Sequence, residues 1–209
     1  MRKTTVRLSG ILGLALLAAG TGQGKQMDAA PDVTVCLRNS IVATPGSVER
    51  AKMLARSMFA SIGINIVWRS PGSENPSGIV VDVTLDSGET GEEDSSALAE
   101  AFPFAGSTGH ITVRYSRIRS SAGISRELEP LLLAHVLVHE ITHVLQCLDR
   151  HADNGVMKAH WSSEDYYEMR WKPLPFTPED IELLRLGMRV LRARPGNQVA
   201  SSSHLTHGQ

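Results

Sequence analysis

The segment from Leu131 to Leu148 constrains the fold more than any other part of the chain. It is mostly apolar and contains neither glycine nor proline, which is typical of a helix buried in a protein core. It is interrupted by His135, His139, Glu140 and His143, whose side chains can carry a charge. Burying these groups in lipid would be very costly, so the segment is not predicted to span a membrane. Inside a soluble protein they are also costly unless a partner satisfies them.

The spacing of the polar residues predicts what that partner is. Residues four apart lie on one face of an α-helix, so His139 and His143 can present two imidazole nitrogens to one metal ion, with Glu140 beside them. A hydrolytic zinc ion needs three protein ligands, an open position for water and a carboxylate to take a proton from that water. His135 lies on the same face, but a catalytic ion must keep one position open. We therefore expect His135 to be a core or supporting histidine.

The residues from His139 to Met157, HEITHVLQCLDRHADNGVM, resemble the metzincin group of zinc metallopeptidases. The resemblance is strongest to a secreted bacterial branch with a longer gap before the third histidine. It implies Zn²⁺ held by three side chains, Glu140 as general base and acid, and a methionine turn at Gly155-Val156-Met157. The methionine would form an apolar floor under the ligands.

The chain departs from the usual metzincin pattern in three places. Gln146 replaces the expected glycine, Asp149 stands where the third ligand usually lies, and Ala159 replaces a tyrosine that binds the oxyanion in some members. The third ligand therefore has two candidates: Asp149 at the standard spacing, or His151 after a longer connection. We favour His151, because imidazole is the commoner third ligand.

Periodicity predicts an α/β domain. Strands are expected at 32–38, 64–68, 79–85 and 110–118, with an edge strand or irregular connection at 98–105. Helices are expected at 47–62, at 131–148 with Pro130 in the first turn, and at 177–192 with Thr177 and Asp180 in capping positions. This order indicates a twisted mixed sheet packed on an active-site helix and a backing helix. A C-terminal helix follows the methionine turn, so the arrangement is similar to that of metzincins and other zincins.

The ends of the chain differ in composition from its middle. Basic residues at 2, 3 and 7 precede an apolar segment of about a dozen residues, which is typical of a secretory signal peptide and too short for a membrane span. We predict a signal peptide at 1–24, one metallopeptidase domain at 30–194 and a flexible polar tail at 195–209. Export would place the protein outside the cell or in the periplasm.

Charge and cysteine content limit the partners. A net charge of -1 means that the chain has no excess of positive charge to attract nucleic acid or an acidic membrane surface, so neither is expected as a partner. Cys36 and Cys147 could form one disulfide after export, and the sequence leaves this open. The oligomeric state is also open.

These observations predict a secreted bacterial zinc-dependent endopeptidase that acts on peptide or protein substrates. Two alternatives stay open: an exported zinc-binding domain without catalysis, and a zinc hydrolase of a non-peptide amide such as one in the cell wall. Tyr166 and Tyr167 could help to stabilise an oxyanion, although surface packing is the favoured interpretation for both.

Overall fold

The computed structural model describes residues 32–41, 46–73, 76–87, 97–102, 108–123 and 125–194. Its strands are β1 (Val33–Asn39), β2 (Ile66–Arg69), β3 (Ile79–Asp86), β4 (Ala99–Phe102) and β5 (Gly109–Arg114). Its helices are α1 (Ser47–Ala60), α2 (Tyr115–Ser121), α3 (Leu128–Gln146), α4 (Ser163–Glu168) and α5 (Pro178–Ala193). The predicted signal peptide and tail lie outside the described residues and stay predictions.

The five strands form one mixed sheet in the order β2-β1-β3-β5-β4. The first four strands in that order run parallel, and β4 pairs antiparallel with β5 at one edge. In β3 every second residue from Ile79 to Leu85 is buried, which is the alternation expected of a strand with one face on the core. The α/β class and the mixed sheet are therefore confirmed. The edge strand expected within 98–105 is present at Ala99–Phe102, and positions 103–105 lie outside the described residues.

Helices α1 and α3 pack against each other beside the sheet, and α3 also contacts α5, β4 and β5. Helix α1 buries Ala51, Ala55, Met58 and Phe59 at helical spacing. Almost every residue of α3 is buried, because neighbouring elements cover it on several sides. By length and composition α3 could cross a membrane, yet 89% of its most apolar window is buried within the protein, as in the core helix of a soluble protein.

The boundaries of two helices agree with their sequence signals. Pro130 lies in the first turn of α3, where a missing N–H costs no intrahelical hydrogen bond. Helix α5 begins with a capping box, in which the Thr177 hydroxyl accepts from the Asp180 N–H and the Asp180 carboxylate accepts from the Thr177 N–H.

The strand predicted at 110–118 is wrong in its second half. Strand β5 ends at Arg114, and residues from Tyr115 onward form α2. Tyr115 continues the alternation of Ile111 and Val113, which is why the sequence predicts that the strand goes on. Ile118 is three residues further on, so with Tyr115 it shares one face of a helix but not one face of a strand, and both are buried in α2. The prediction also missed the short helix α4.

Both cysteines are free thiols: Cys36 is buried in β1, and Cys147 follows the last residue of α3. The disulfide that the sequence left open does not form in this structure. Burial raises the pKa of both thiols, so neither has the environment of a reactive cysteine.

Candidate metal centre

Helix α3 brings two of the predicted ligands together. His139 and His143 are one turn apart, and their Nε2 atoms lie 3.0 Å from each other. Both side chains are almost completely buried. The helical spacing in the sequence is therefore sufficient to place these two rings side by side.

Backbone carbonyls fix the tautomer of both rings. Nδ1 of His139 lies 2.9 Å from the carbonyl oxygen of Val156, and Nδ1 of His143 lies 3.1 Å from that of Leu148. Because a carbonyl oxygen can only accept, each Nδ1 carries the hydrogen and donates it. Both Nε2 atoms are then left with a lone pair that points into the site. Such support of the second ring nitrogen is usual for histidines that bind metals.

His151 completes a group of three. One ligand atom from each of His139, His143 and His151 lies within 4.8 Å of the other two, and this is the one such group among the residues that the structure describes. The His151 ring stacks on the His139 ring with centroids 5.2 Å apart, and its side chain is exposed at the cleft. Asp149 lines the same cleft but is not part of the group.

The donor set fits a divalent cation. Two bare lone pairs 3.0 Å apart repel each other unless a positive charge lies between them. A shared proton is a poor substitute, because burial lowers the pKa of both rings, that of His139 to about 4. Three neutral imidazoles at an open cleft are a ligand set that zinc takes in catalytic sites.

Glu140 lies next to this group and is buried. Burial raises the pKa of its carboxyl to about 7, and the nearby charges of Asp149 and Glu100 add to the shift. A carboxyl group with a pKa near neutrality can both accept and return a proton, as general acid–base catalysis requires.

The segment predicted as a methionine turn contacts the metal centre through the Val156 carbonyl, which accepts from His139. Gly155 has a φ of +76°, and a Cβ atom there would be 2.2 Å from the carbonyl oxygen of Pro175, so only glycine fits. The N–H of Val156 donates to the same Pro175 oxygen at 2.9 Å. Met157 is fully buried, and its carbonyl accepts from the N–H of Ala152 at 2.7 Å. This hydrogen bond connects the segment that carries His151 to the turn, whose Val156 carbonyl supports His139.

His135 is not part of the group. Its Nδ1–H donates to the Leu131 carbonyl at 2.7 Å, and its Nε2 accepts from the Leu174 N–H at 3.0 Å. Both ring nitrogens are thus used within the protein. The expectation of a core or supporting histidine agrees with this geometry.

The histidines open into a cleft of about 980 Å³. Its lining includes residues 97–101, which contain the start of the edge strand β4, and also Trp161 and Tyr166. Tyr167, by contrast, is exposed beside Trp171. The sequence treated the two tyrosines alike, and the structure places Tyr166 but not Tyr167 at the cleft.

No protein-family model and no curated protein matches this chain. Among solved structures, its fold is similar to that in the crystal structure of archaemetzincin from Methanopyrus kandleri. The two chains are 17% identical, the match covers 75% of this chain and 96% of that chain, and the TM-score is 0.47. The three-histidine group is identified from its side-chain geometry and not from this likeness.

Proposed function

We propose that this chain is a zinc-dependent metallopeptidase of the endopeptidase type. His139, His143 and His151 would hold the metal, and Glu140 would act as general base. One observation carries the proposal: two buried Nε2 lone pairs 3.0 Å apart, with a third imidazole beside them, open into a cleft next to a buried carboxyl group.

A zinc ion held by these three histidines would supply Lewis acidity for a substrate carbonyl and for the attacking water. Glu140 accepts a proton from the attacking water on a carboxylate oxygen and then delivers it to the nitrogen of the leaving amine. In the metal-free site burial raises its pKa to about 7, so this carboxyl group can take up a proton near neutral pH. Met157, which is fully buried, would form an apolar floor under the ligands without binding the metal.

The edge strand favours a peptide over another amide as the substrate. Strand β4 is at the end of the sheet and pairs only with β5 among the described strands, while its first residues line the cleft. The unpaired edge of a strand can bind an extended peptide through main-chain hydrogen bonds. A peptide bound in this way would pass the histidines with residues on both sides of the scissile bond.

We also propose that the protein is exported, to the outside of the cell or to the periplasm. The proposal is supported by the basic residues at 2, 3 and 7 and the apolar segment that follows them. Comparing the N-terminus of the protein recovered from an extracytoplasmic fraction with that of the full chain would test it. An intact N-terminus in the cytoplasm would contradict it.

The function is tested by metal analysis together with hydrolysis assays. We expect the purified protein to contain one zinc ion per chain and to cleave a mixture of unstructured peptides, but not peptidoglycan. Glu140→Gln should retain the zinc and lose peptide cleavage, because the amide cannot accept the proton. Cleavage of peptidoglycan alone would favour the cell-wall alternative, and zinc binding without any hydrolysis would favour a binding domain.

A further inference from the structure

The third histidine lacks the support that the other two have. Carbonyl oxygens hold the rings of His139 and His143, whereas the ring of His151 makes no hydrogen bond within the part of the chain that the structure describes. His151 is also exposed and lies outside regular secondary structure. Apart from ring contacts with His139 and His143, its position is therefore fixed through the backbone of its segment.

Arg150, the residue before it, ties that segment to helix α5. One arm of its guanidinium group reaches the carboxylate of Asp180, with Nη1 3.2 Å from Oδ1, and the other arm pairs with Glu179. Both acids lie in the first turn of α5. An arginine fork that binds two carboxylates fixes orientation as well as distance.

Asp180 is a junction for three parts of the fold. Its side chain is fully buried, and it accepts the Thr177 N–H at 2.8 Å as well as the Arg150 guanidinium. Its backbone carbonyl accepts from the side chain of Gln146, the last residue of α3, at 3.2 Å. The end of the histidine helix and the segment carrying His151 are therefore attached to the same point of α5.

We propose that the Arg150–Asp180 ion pair is the positioning device for the third metal ligand. The inference rests on the proposed function, since it concerns how firmly His151 is held toward the metal. The segment between Gln146 and Ala152 is held at both ends, by Asp180 at one and by Met157 at the other, and Arg150 fixes it next to the ligand. Without this pair, the backbone at His151 can move and the histidine becomes a weaker ligand.

The test measures zinc affinity by competition with a chelator of known affinity. Arg150→Gln should raise the zinc dissociation constant about 10–100-fold, the usual range for loss of a group that supports a metal ligand. The absorption spectrum of the cobalt-substituted protein should also change, because the coordination of the ion changes. Arg150→Lys keeps the charge and should recover part of the affinity, since an ammonium can pair with one carboxylate at a time.

Two control variants separate positioning from general loss of stability. Thr177→Ala removes the hydroxyl of the same capping box and costs about 1 kcal/mol of stability, but it leaves the ion pair in place. Arg192→Gln removes another arginine–aspartate pair, with Asp32, outside the metal centre. Both variants should bind zinc and cobalt as the wild type does.

A double-mutant cycle shows whether the two residues act together. Asp180→Asn keeps an oxygen for the Thr177 N–H and loses the ion pair, so combining it with Arg150→Gln should weaken zinc binding no further.

Equal zinc affinity of Arg150→Gln and the wild type would overturn the inference and leave the proposed function intact. If Arg150→Gln does not fold, wild-type affinity in both Asp180→Asn and Arg150→Lys would overturn it. Absence of zinc binding by the wild type would overturn both.

Discussion

At the scale of single residues, the buried histidines differ in how completely the protein uses their nitrogens. His135 has a partner on each ring nitrogen, whereas His139 and His143 have a backbone partner on Nδ1 alone. All three are spaced by four in the sequence, so spacing cannot separate them. The distinction depends on Leu174, Val156 and Leu148, whose backbone groups reach the rings from outside the helix.

Replacing His135 should affect stability and not metal binding. In His135→Leu the buried N–H of Leu174 loses its acceptor, which costs about 1–3 kcal/mol. Urea unfolding of the metal-free protein measures this loss, and zinc analysis of the folded protein should show an unchanged content. A variant that folds normally but loses its zinc would identify His135 as a ligand.

Replacing the two candidate third ligands should give opposite results. His151→Ala should lose most of the bound zinc, since only two imidazoles are left, whereas Asp149→Ala should keep it because Asp149 is outside the group of three. Zinc analysis after dialysis against a weak chelator checks both variants. The reverse pattern would assign Asp149 as the ligand.

At the scale of elements, the contact between α3 and α5 depends on Gly187. A Cβ atom at this position would lie 2.1 Å from the carbonyl oxygen of Leu145 and 2.7 Å from Cα of Gln146. The backbone of α5 therefore passes directly over the end of α3, close to the metal centre. An isolated glycine in a helical pattern does not reveal from the sequence which element it approaches.

Gly187→Ala should destabilise the protein, which is the opposite of what helix propensity predicts. Alanine is favoured over glycine in a helix by about 1 kcal/mol, but the clash with the α3 backbone should cost about 1–3 kcal/mol or more. Thermal unfolding of the metal-free protein measures the net effect, with Glu182→Ala on the exposed side of α5 as the control. A higher melting temperature for Gly187→Ala would show that the helices are not in close contact there.

The elements also show where sequence patterns are reliable. The start of α5 is predicted correctly because threonine, proline and aspartate satisfy backbone groups locally. The end of β5 is predicted wrongly because Tyr115 continues the alternation of the strand, although its spacing of three to Ile118 is helical; both residues are buried in the core. Short helix α4 has too few residues to give a periodic signal.

At the scale of the whole molecule, burial of titratable groups links stability to pH. Burial lowers the pKa of His135, His139 and His143, that of His139 to about 4, from an ordinary value of 6.5. Between those values the unfolded chain binds more protons than the folded one. The stability that depends on neutral histidines is therefore complete above pH 6.5 and is lost as the pH falls toward 4. Glu140 has the opposite sign, because its pKa rises from 4.5 to about 7 on folding.

The metal-free protein should therefore become less stable on acidification from pH 7 to pH 5, since three histidines oppose one carboxyl group. Glu140→Gln should be more stable than the wild type at pH 7 and should lose stability more steeply, because it lacks the opposing carboxyl. Urea midpoints at both pH values check this. Equal pH dependence of the two proteins would contradict the burial of Glu140.

The sequence by itself determined the α/β class, the helix that carries His139 and His143, and the capped start of α5. Each depends on residues close together in the chain, whose periodicity or capping acts locally. Tertiary structure alone decided which nitrogens stay open, that His151 joins the group, and that Arg150 and Gln146 meet at Asp180. These contacts join residues from separate elements, and no local pattern encodes the packing that brings them together.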